Sequence, residues 1–197
     1  MPRFRNLYKQ ETEFLRGYAT EVSAGRLVEM NTEGFGADLK SNLLNPKYGN
    51  WLIRAQMMGE TIPKESNLVS LDPTKKDSWG IPLLSVNVDY DENDELMVKD
   101  FEEQFTEMYE KAGFVNIQMN DSKQAPGLDI HEMGGVRMGK DPKTSLLNEW
   151  NQMHACKNVY VTDGACMTST ATQNPSLTYM ALTARACDHA IRESKNS

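Results

Sequence analysis

Midway along the chain the apolar pattern switches from alternation to helical spacing, and this switch constrains the fold more than any other feature. Apolar and polar residues alternate from Leu68 to Leu71 until Asp72-Pro73 interrupts them, and they alternate again over Leu83-Leu-Ser-Val-Asn-Val-Asp89. Trp79-Gly-Ile-Pro82 lies between, a turn-rich connection, so the two runs predict neighbouring antiparallel strands. Directly afterwards Met97, Phe101, Phe105, Met108 and Ala112 recur at spacings of four, four, three and four, one face of a helix that starts at Asn93 or Asp94. Asp91, Glu92, Asp94 and Glu95 crowd its first turn, where the helix dipole favours anions, and Gly113 follows as a C-terminal cap. Strand, strand, helix in close succession predicts an α+β fold: an antiparallel sheet with flanking helices.

Other segments fill in around this unit. Residues 13–28, with short apolar stretches between polar ones, fit a strand or a helix and read better as a strand, and the stripe Trp51, Leu52, Ile53, Met57 and Met58 reads as core. Phe114-Val-Asn-Ile-Gln-Met119 and Asn158-Val-Tyr-Val-Thr-Asp163 read as further strands, the latter ending in Asp163-Gly164. Asn174-Pro175 suits the opening of a last helix running to about Ile191, because Asn caps well and Pro is tolerated in the first turn. Leu177, Met180, Ala181, Ala184 and Cys187 share one face of that helix, small enough to pack closely on a sheet.

At 197 residues and 39% hydrophobic content, the chain has material for a core. It contains no apolar run of the roughly 18 residues a membrane span needs. The formal net charge of −7 argues against a nucleic-acid partner, which requires a basic footprint. Cys156, Cys166 and Cys187 are odd in number and contain no C-x-x-C, which points to free thiols in a reducing setting and favours a cytoplasmic over a periplasmic location.

Several chemistries are excluded by pattern. His131-Glu132 opens like a zinc-protease helix, but Gly135 stands where the second histidine belongs. There is no G-x-S-x-G elbow, no P-loop and no G-x-G-x-x-G. His154 and His189 are isolated and read as bystanders, and Arg137 reads as half of a structural ion pair. What remains is a strand ending at Asp163-Gly164 and a helix opening at Asn174-Pro175. Strand carboxyl ends and helix N-termini both favour ligands, so the pair reads as part of a cofactor cradle; an ordinary βα unit with normal caps would account for the same residues.

Three motifs in the C-terminal third carry a resemblance: H-E-M-G-G-V-R-M-G at 131–139, N-V-Y-V-T-D-G-A at 158–165 and T-Q-N-P-S-L-T-Y-M-A-L-T-A-R-A at 172–186. In type, order and separation they resemble the C-terminal part of the glucose-methanol-choline (GMC) flavin oxidoreductases, especially the branch of pyranose oxidases, glucoside 3-dehydrogenases and gluconate dehydrogenase flavoproteins. A looser similarity to that branch's substrate domain runs through Gly59-Glu60, Asn67 to Pro73 and Trp79 to Pro82. The resemblance implies an FAD-dependent oxidoreductase that removes hydride from a CH–OH group of a sugar or other small alcohol. His131 would take the hydroxyl proton, a task suited to an imidazole, and Asn174 would hydrogen-bond the substrate oxygen. Asp163, Gly164, Asn174 and Pro175 would lie against the cofactor. It further implies a substrate-binding domain over residues 1–130 and, over 131–197, a catalytic motif with a strand–helix piece of a FAD domain. The dinucleotide fingerprint of that domain is absent here, so the chain by itself is expected to lack most of the site for pyrophosphate and adenosine. The rival reading is a non-catalytic carbohydrate-binding or subunit-interaction module of the same descent.

Overall fold

In the computed structural model, which describes residues 1–128 and 130–196, the elements run β1 (Tyr18–Glu29), α1 (Ala37–Leu44), β2 (Lys47–Gly59), β3 (Leu68–Lys76), β4 (Pro82–Asn87), α2 (Glu92–Lys111) and α3 (Ser176–Asn196), with a 3-10 turn at Gly164–Cys166. The mix is α+β, as the sequence implies. The strands form two separate antiparallel pairs, β1–β2 and β3–β4, instead of one sheet.

Each pair follows from its sequence. β1 faces β2 in register from Tyr18 opposite Gly59 to Glu29 opposite Lys47, with an irregularity between Arg26 and Val28. β3 faces β4 from Leu68 opposite Asn87 to Leu71 opposite Leu84, and pairing lapses until Lys76 opposite Pro82. The lapse begins at Asp72-Pro73. Proline has no N–H for the ladder, and the Asp72 carboxylate instead accepts from the Thr74 and Lys75 N–H groups at 2.9 and 2.8 Å.

α2 carries the expected apolar stripe and starts at Glu92, one residue before the earliest expected start at Asn93. Asp91 caps it by accepting from Asn93 N–H at 3.0 Å, and Asp94 reaches back to the Asp91 N–H at 3.1 Å, a reciprocal capping box. Gly113, at φ 82°, turns the chain away in the left-handed region. Met97 and Phe105 are buried against Phe14 and Tyr18, forming the main core cluster. Tyr18 is fully buried; its ring meets Phe101 edge-on at 5.7 Å and its hydroxyl donates to Asp100 at 2.7 Å. Arg5 holds the same carboxylate in a fork, at 3.0 and 2.8 Å, tying the N-terminal segment to α2.

Four expectations fail for lack of a covering layer or a partner strand. Trp51 and Leu52 are exposed, because the far half of the β1–β2 ribbon runs past α2 and only Ala55 and Met57 reach the core. Residues 114–119 form no strand: Asn116 sits at φ 57°, outside strand geometry. Residues 158–163 form no strand either, since their pairing amounts to one isolated bridge between Gln152 and Tyr160, flanked by the Met153 N–H bond to the Val159 carbonyl at 2.9 Å and the Val161 N–H bond to the Asn151 carbonyl at 3.0 Å. The proposed strand–helix piece is therefore a loop–turn–helix. Finally, the small-residue face of α3 is bare, with Leu177 and Met180 at 79% and 68% exposure. The helix α1, with no buried residue, was not anticipated.

Candidate functional site

The segment carrying His131 is laid alongside the 3-10 turn by backbone hydrogen bonds. Gly134, Val136 and Met138 N–H groups donate to the carbonyls of Gly164, Ala165 and Cys166 at 3.1, 3.1 and 2.9 Å. Gly134 and Gly135 both sit near φ 90°, at 93° and 88°, a conformation that side chains disfavour, and this lets the chain turn into that register. Gly164 is buried in the contact. A Cβ there would stand 2.7 Å from the Glu132 carbonyl and 2.8 Å from the Tyr179 hydroxyl, so glycine is required by neighbouring protein atoms. Asp163 caps the turn, accepting from Ala165 N–H at 3.0 Å, and is exposed.

α3 is clamped against the same region along a face offset from the small-residue one. Tyr179 Oη lies 3.5 Å from Met133 Sδ near the helix start, and Ala186 is buried further along. Arg185 donates to Asn151 Oδ1 at 3.0 Å while lying over the Trp150 ring. His189 stacks on Trp150, with centroids 5.0 Å apart and planes 12° from parallel, which gives this expected bystander a packing role. His154 Nε2 lies 3.2 Å from both Ser145 Oγ and the Gly139 carbonyl, so it too is structural. Arg137 pairs with no carboxylate among the described residues, contrary to expectation. Burial, with the nearby charges of Asp163, Cys166 and Glu132, pushes the Tyr179 phenol up, and burial raises the Cys166 thiol.

The loop between the turn and α3 is tied to the first sheet by a group that sequence reasoning missed. Glu60, 8% exposed at the end of β2, accepts from Ser169 Oγ at 3.1 Å, and Arg3 and Arg16 approach it at 3.7 and 3.8 Å. The partners of Glu60 are 109 residues apart from it in the case of Ser169, so no local pattern signals the contact. Beyond Ser169, residues 172–174 form one wall of a cleft of about 370 Å³ whose other walls are the start of β1, Met58 of β2 and the first two residues of the chain.

Asn174 lines this cleft and is exposed, Pro175 behind it is buried, and the first helical bond runs from Tyr179 N–H to the Pro175 carbonyl at 3.1 Å. The helix thus opens at Ser176, one residue later than expected. His131 is half-buried and is not part of the cleft lining, and no hydrogen bond joins it to Asn174. The structure brings the three motif segments into contact through Gly164, Glu132 and Tyr179; it does not place the two side chains in one hollow.

Comparison with known proteins gives a consistent result. A family model described as GMC oxidoreductase matches residues 63–183. A 2-methyl-1,2-propanediol dehydrogenase of Mycolicibacterium austroafricanum is 37% identical over 151 residues, covering 75% of this chain and 26% of that protein. A fructose dehydrogenase large subunit of Gluconobacter japonicus is 29% identical over 184 residues, 90% of this chain and 33% of that protein. A gluconate 2-dehydrogenase flavoprotein of Pantoea cypripedii is 32% identical over 141 residues. The chain spans a third or less of the length of these relatives.

Proposed function

Because this chain belongs to the GMC oxidoreductase family, we propose that it is the substrate-facing and proton-handling portion of an FAD-dependent enzyme that oxidises a CH–OH group of a sugar or small polyol. FAD supplies the hydride acceptor. On this reading His131 takes the substrate's hydroxyl proton, and the Asn174 carboxamide donates to the same oxygen and holds it in place. Pro175 and the N-terminus of α3 would lie against the flavin, where the helix's partial positive charge would favour its reduced form.

The observation that carries the proposal is the convergence of the His131, Asp163 and Asn174 segments on the single close contact at Gly164. The residues present fit the flavin end of the cofactor. Asp163 is exposed with one oxygen committed to Ala165, which leaves its second oxygen for a ribityl hydroxyl, and Asn174 stands exposed at the opening of a long helix. Nothing in the sequence matches a pyrophosphate-binding fingerprint, so that half of the cofactor falls to polypeptide outside this chain.

The surface supports the same division of labour. The accessible area is 14638 Å², against roughly 9,400 Å² for a self-contained folded protein of this mass. The exposed surface carries large apolar side chains such as Trp79, Leu84, Leu177 and Met180. A covering partner of similar apolar character, carrying the nucleotide-binding portion, satisfies it.

The test is the substitution His131→Ala in the FAD-loaded enzyme that contains this chain, followed by stopped-flow bleaching of the flavin by sugar. Loss of a general base predicts a fall of about a hundredfold or more in the reduction rate. A rate equal to wild type removes His131 from the chemistry.

A further inference from the structure

We infer that Glu60 is a positioning residue for the oxidation: its carboxylate, through the Ser169 hydroxyl, fixes the loop that presents the Asn174 carboxamide to the reacting alcohol. The inference deepens the reading above, since it rests on Asn174 holding the substrate oxygen.

The first observation is how little else holds that loop. Residues 168–174 join the 3-10 turn to α3, and among the described residues their one hydrogen bond is the one from Ser169 Oγ to Glu60, 3.1 Å. Thr172 and Pro175 are buried, while Gln173 and Asn174 are exposed. The carboxamide therefore sits on a stretch pinned upstream by a single polar contact. A displacement of about 1 Å at a reacting centre is enough to slow an enzyme by about a hundredfold, so the contact has the leverage that positioning requires.

The second observation is the firmness of the anchor. Glu60 directly follows Gly59, which pairs opposite the fully buried Tyr18. A Cβ on Gly59 would stand 2.8 Å from Met57 Cε and 2.9 Å from Met97 Sδ, so this backbone runs tight against the α2 core. The Glu60 N–H is itself held by the Gly17 carbonyl at 3.2 Å. The bond also has a fixed sense, because a carboxylate only accepts and Ser169 must donate.

The third is the chemical type of the anchor. Glu60 is 8% exposed, and the segment it holds, residues 167–175, carries no charge. A buried carboxylate is a poor source of stability, since an apolar side chain of similar volume packs there without losing hydration; what it supplies is one defined geometry. Glu60 spends that geometry on a neutral hydroxyl five residues before Asn174.

The test uses the FAD-loaded enzyme that contains this chain, bleached in stopped flow by whichever of D-glucose, D-sorbitol and 1,2-propanediol reduces wild type fastest. Substrate dependence separates the limiting reduction rate from the dissociation constant. Ser169→Ala should lower the limiting rate by about tenfold and leave the dissociation constant within about twofold, a split that general loosening would not give. Glu60→Leu should slow reduction alike, while Glu60→Gln keeps an acceptor opposite Ser169 and recovers most of the rate; if Glu60→Leu yields no flavin-loaded protein, Ser169→Ala and Glu60→Gln decide. Asn174→Ala alone should cost about a hundredfold, and adding Ser169→Ala to it should change the rate by less than about twofold, because both act through one group. A wild-type limiting rate in Ser169→Ala, a change in the dissociation constant only, a Glu60→Gln rate as low as that of Ser169→Ala, or effects that multiply in the double variant overturns the inference alone. No bleaching of wild type by any of the three alcohols, or a wild-type rate in Asn174→Ala, overturns the reading of the site and the inference with it.

Discussion

Glu60→Ala removes the anchor that joins the Asn174-bearing loop to the first sheet, and its cost can be built from the contacts. The Glu60 side chain is 9% exposed, so its charge is largely withdrawn from water and depends on its partners. The hydrogen bond from Ser169 at 3.1 Å goes to an ionised acceptor, a class worth about 1.5–3 kcal/mol. The arginines contribute less. At 3.7 and 3.8 Å they lie beyond direct hydrogen bonding, and Arg16 has half its side chain in water, so each pair is worth at most about 1 kcal/mol. Glu60→Ala should therefore destabilise by about 2–4 kcal/mol. Ser169→Ala should cost about 1–2 kcal/mol, because the carboxylate it leaves behind keeps both arginines. Since the two mutations delete the same bond, the double variant should be less destabilised than the sum of the singles, with a coupling of about 1 kcal/mol or more. Urea denaturation of the four chains, followed by circular dichroism, measures this. Costs that add to within about 0.5 kcal/mol would mean that the bond contributes nothing and that the loop is held some other way.

Two further outcomes follow from buried groups. Burial and the Asp100 hydrogen bond raise the Tyr18 phenol above its ordinary range, with the Asp100 charge adding to the effect. A folded-state pKa above the unfolded one gives stability that is complete below the unfolded pKa, about 10, and is lost as pH rises from there toward the folded value. Wild type should thus weaken steeply above about pH 10, whereas Tyr18→Phe should start lower by about 1–2 kcal/mol and lose less over the same range in urea melts; parallel pH profiles would refute the assignment. Among the thiols, Cys156 and Cys187 are exposed while Cys166 is buried with its pKa raised by burial. Native protein should release two equivalents of thionitrobenzoate quickly from Ellman's reagent and the third only on unfolding; three fast equivalents would show that Cys166 is open to solvent.

Local chemistry made parts of this protein readable. α2, its Gly113 stop and the β3–β4 hairpin depend on residues within a few positions of one another and form close to where the pattern places them, with α2 starting at Glu92 behind an Asp91 cap that the pattern did not single out. The three motifs that mark the family are likewise contiguous strings. The pairing of Glu60 with Ser169 could not be read that way. It depends on which segments the fold brings side by side, and a lone glutamate at a strand end has no pattern to announce it.

The amino-acid order alone pointed to α2, α3, the β3–β4 turn and the family resemblance, though not to α1, because backbone preference, capping and motif spacing act over a few residues. Which face of each element is covered was settled only in three dimensions. Trp51 and Leu177 belong to apolar stripes and yet lie bare, while Ala186 and Gly164 are sealed in. Burial is a property of the layer opposite, and a stripe of hydrophobic residues specifies that it needs a cover without specifying where in the chain, or in what other polypeptide, that cover resides.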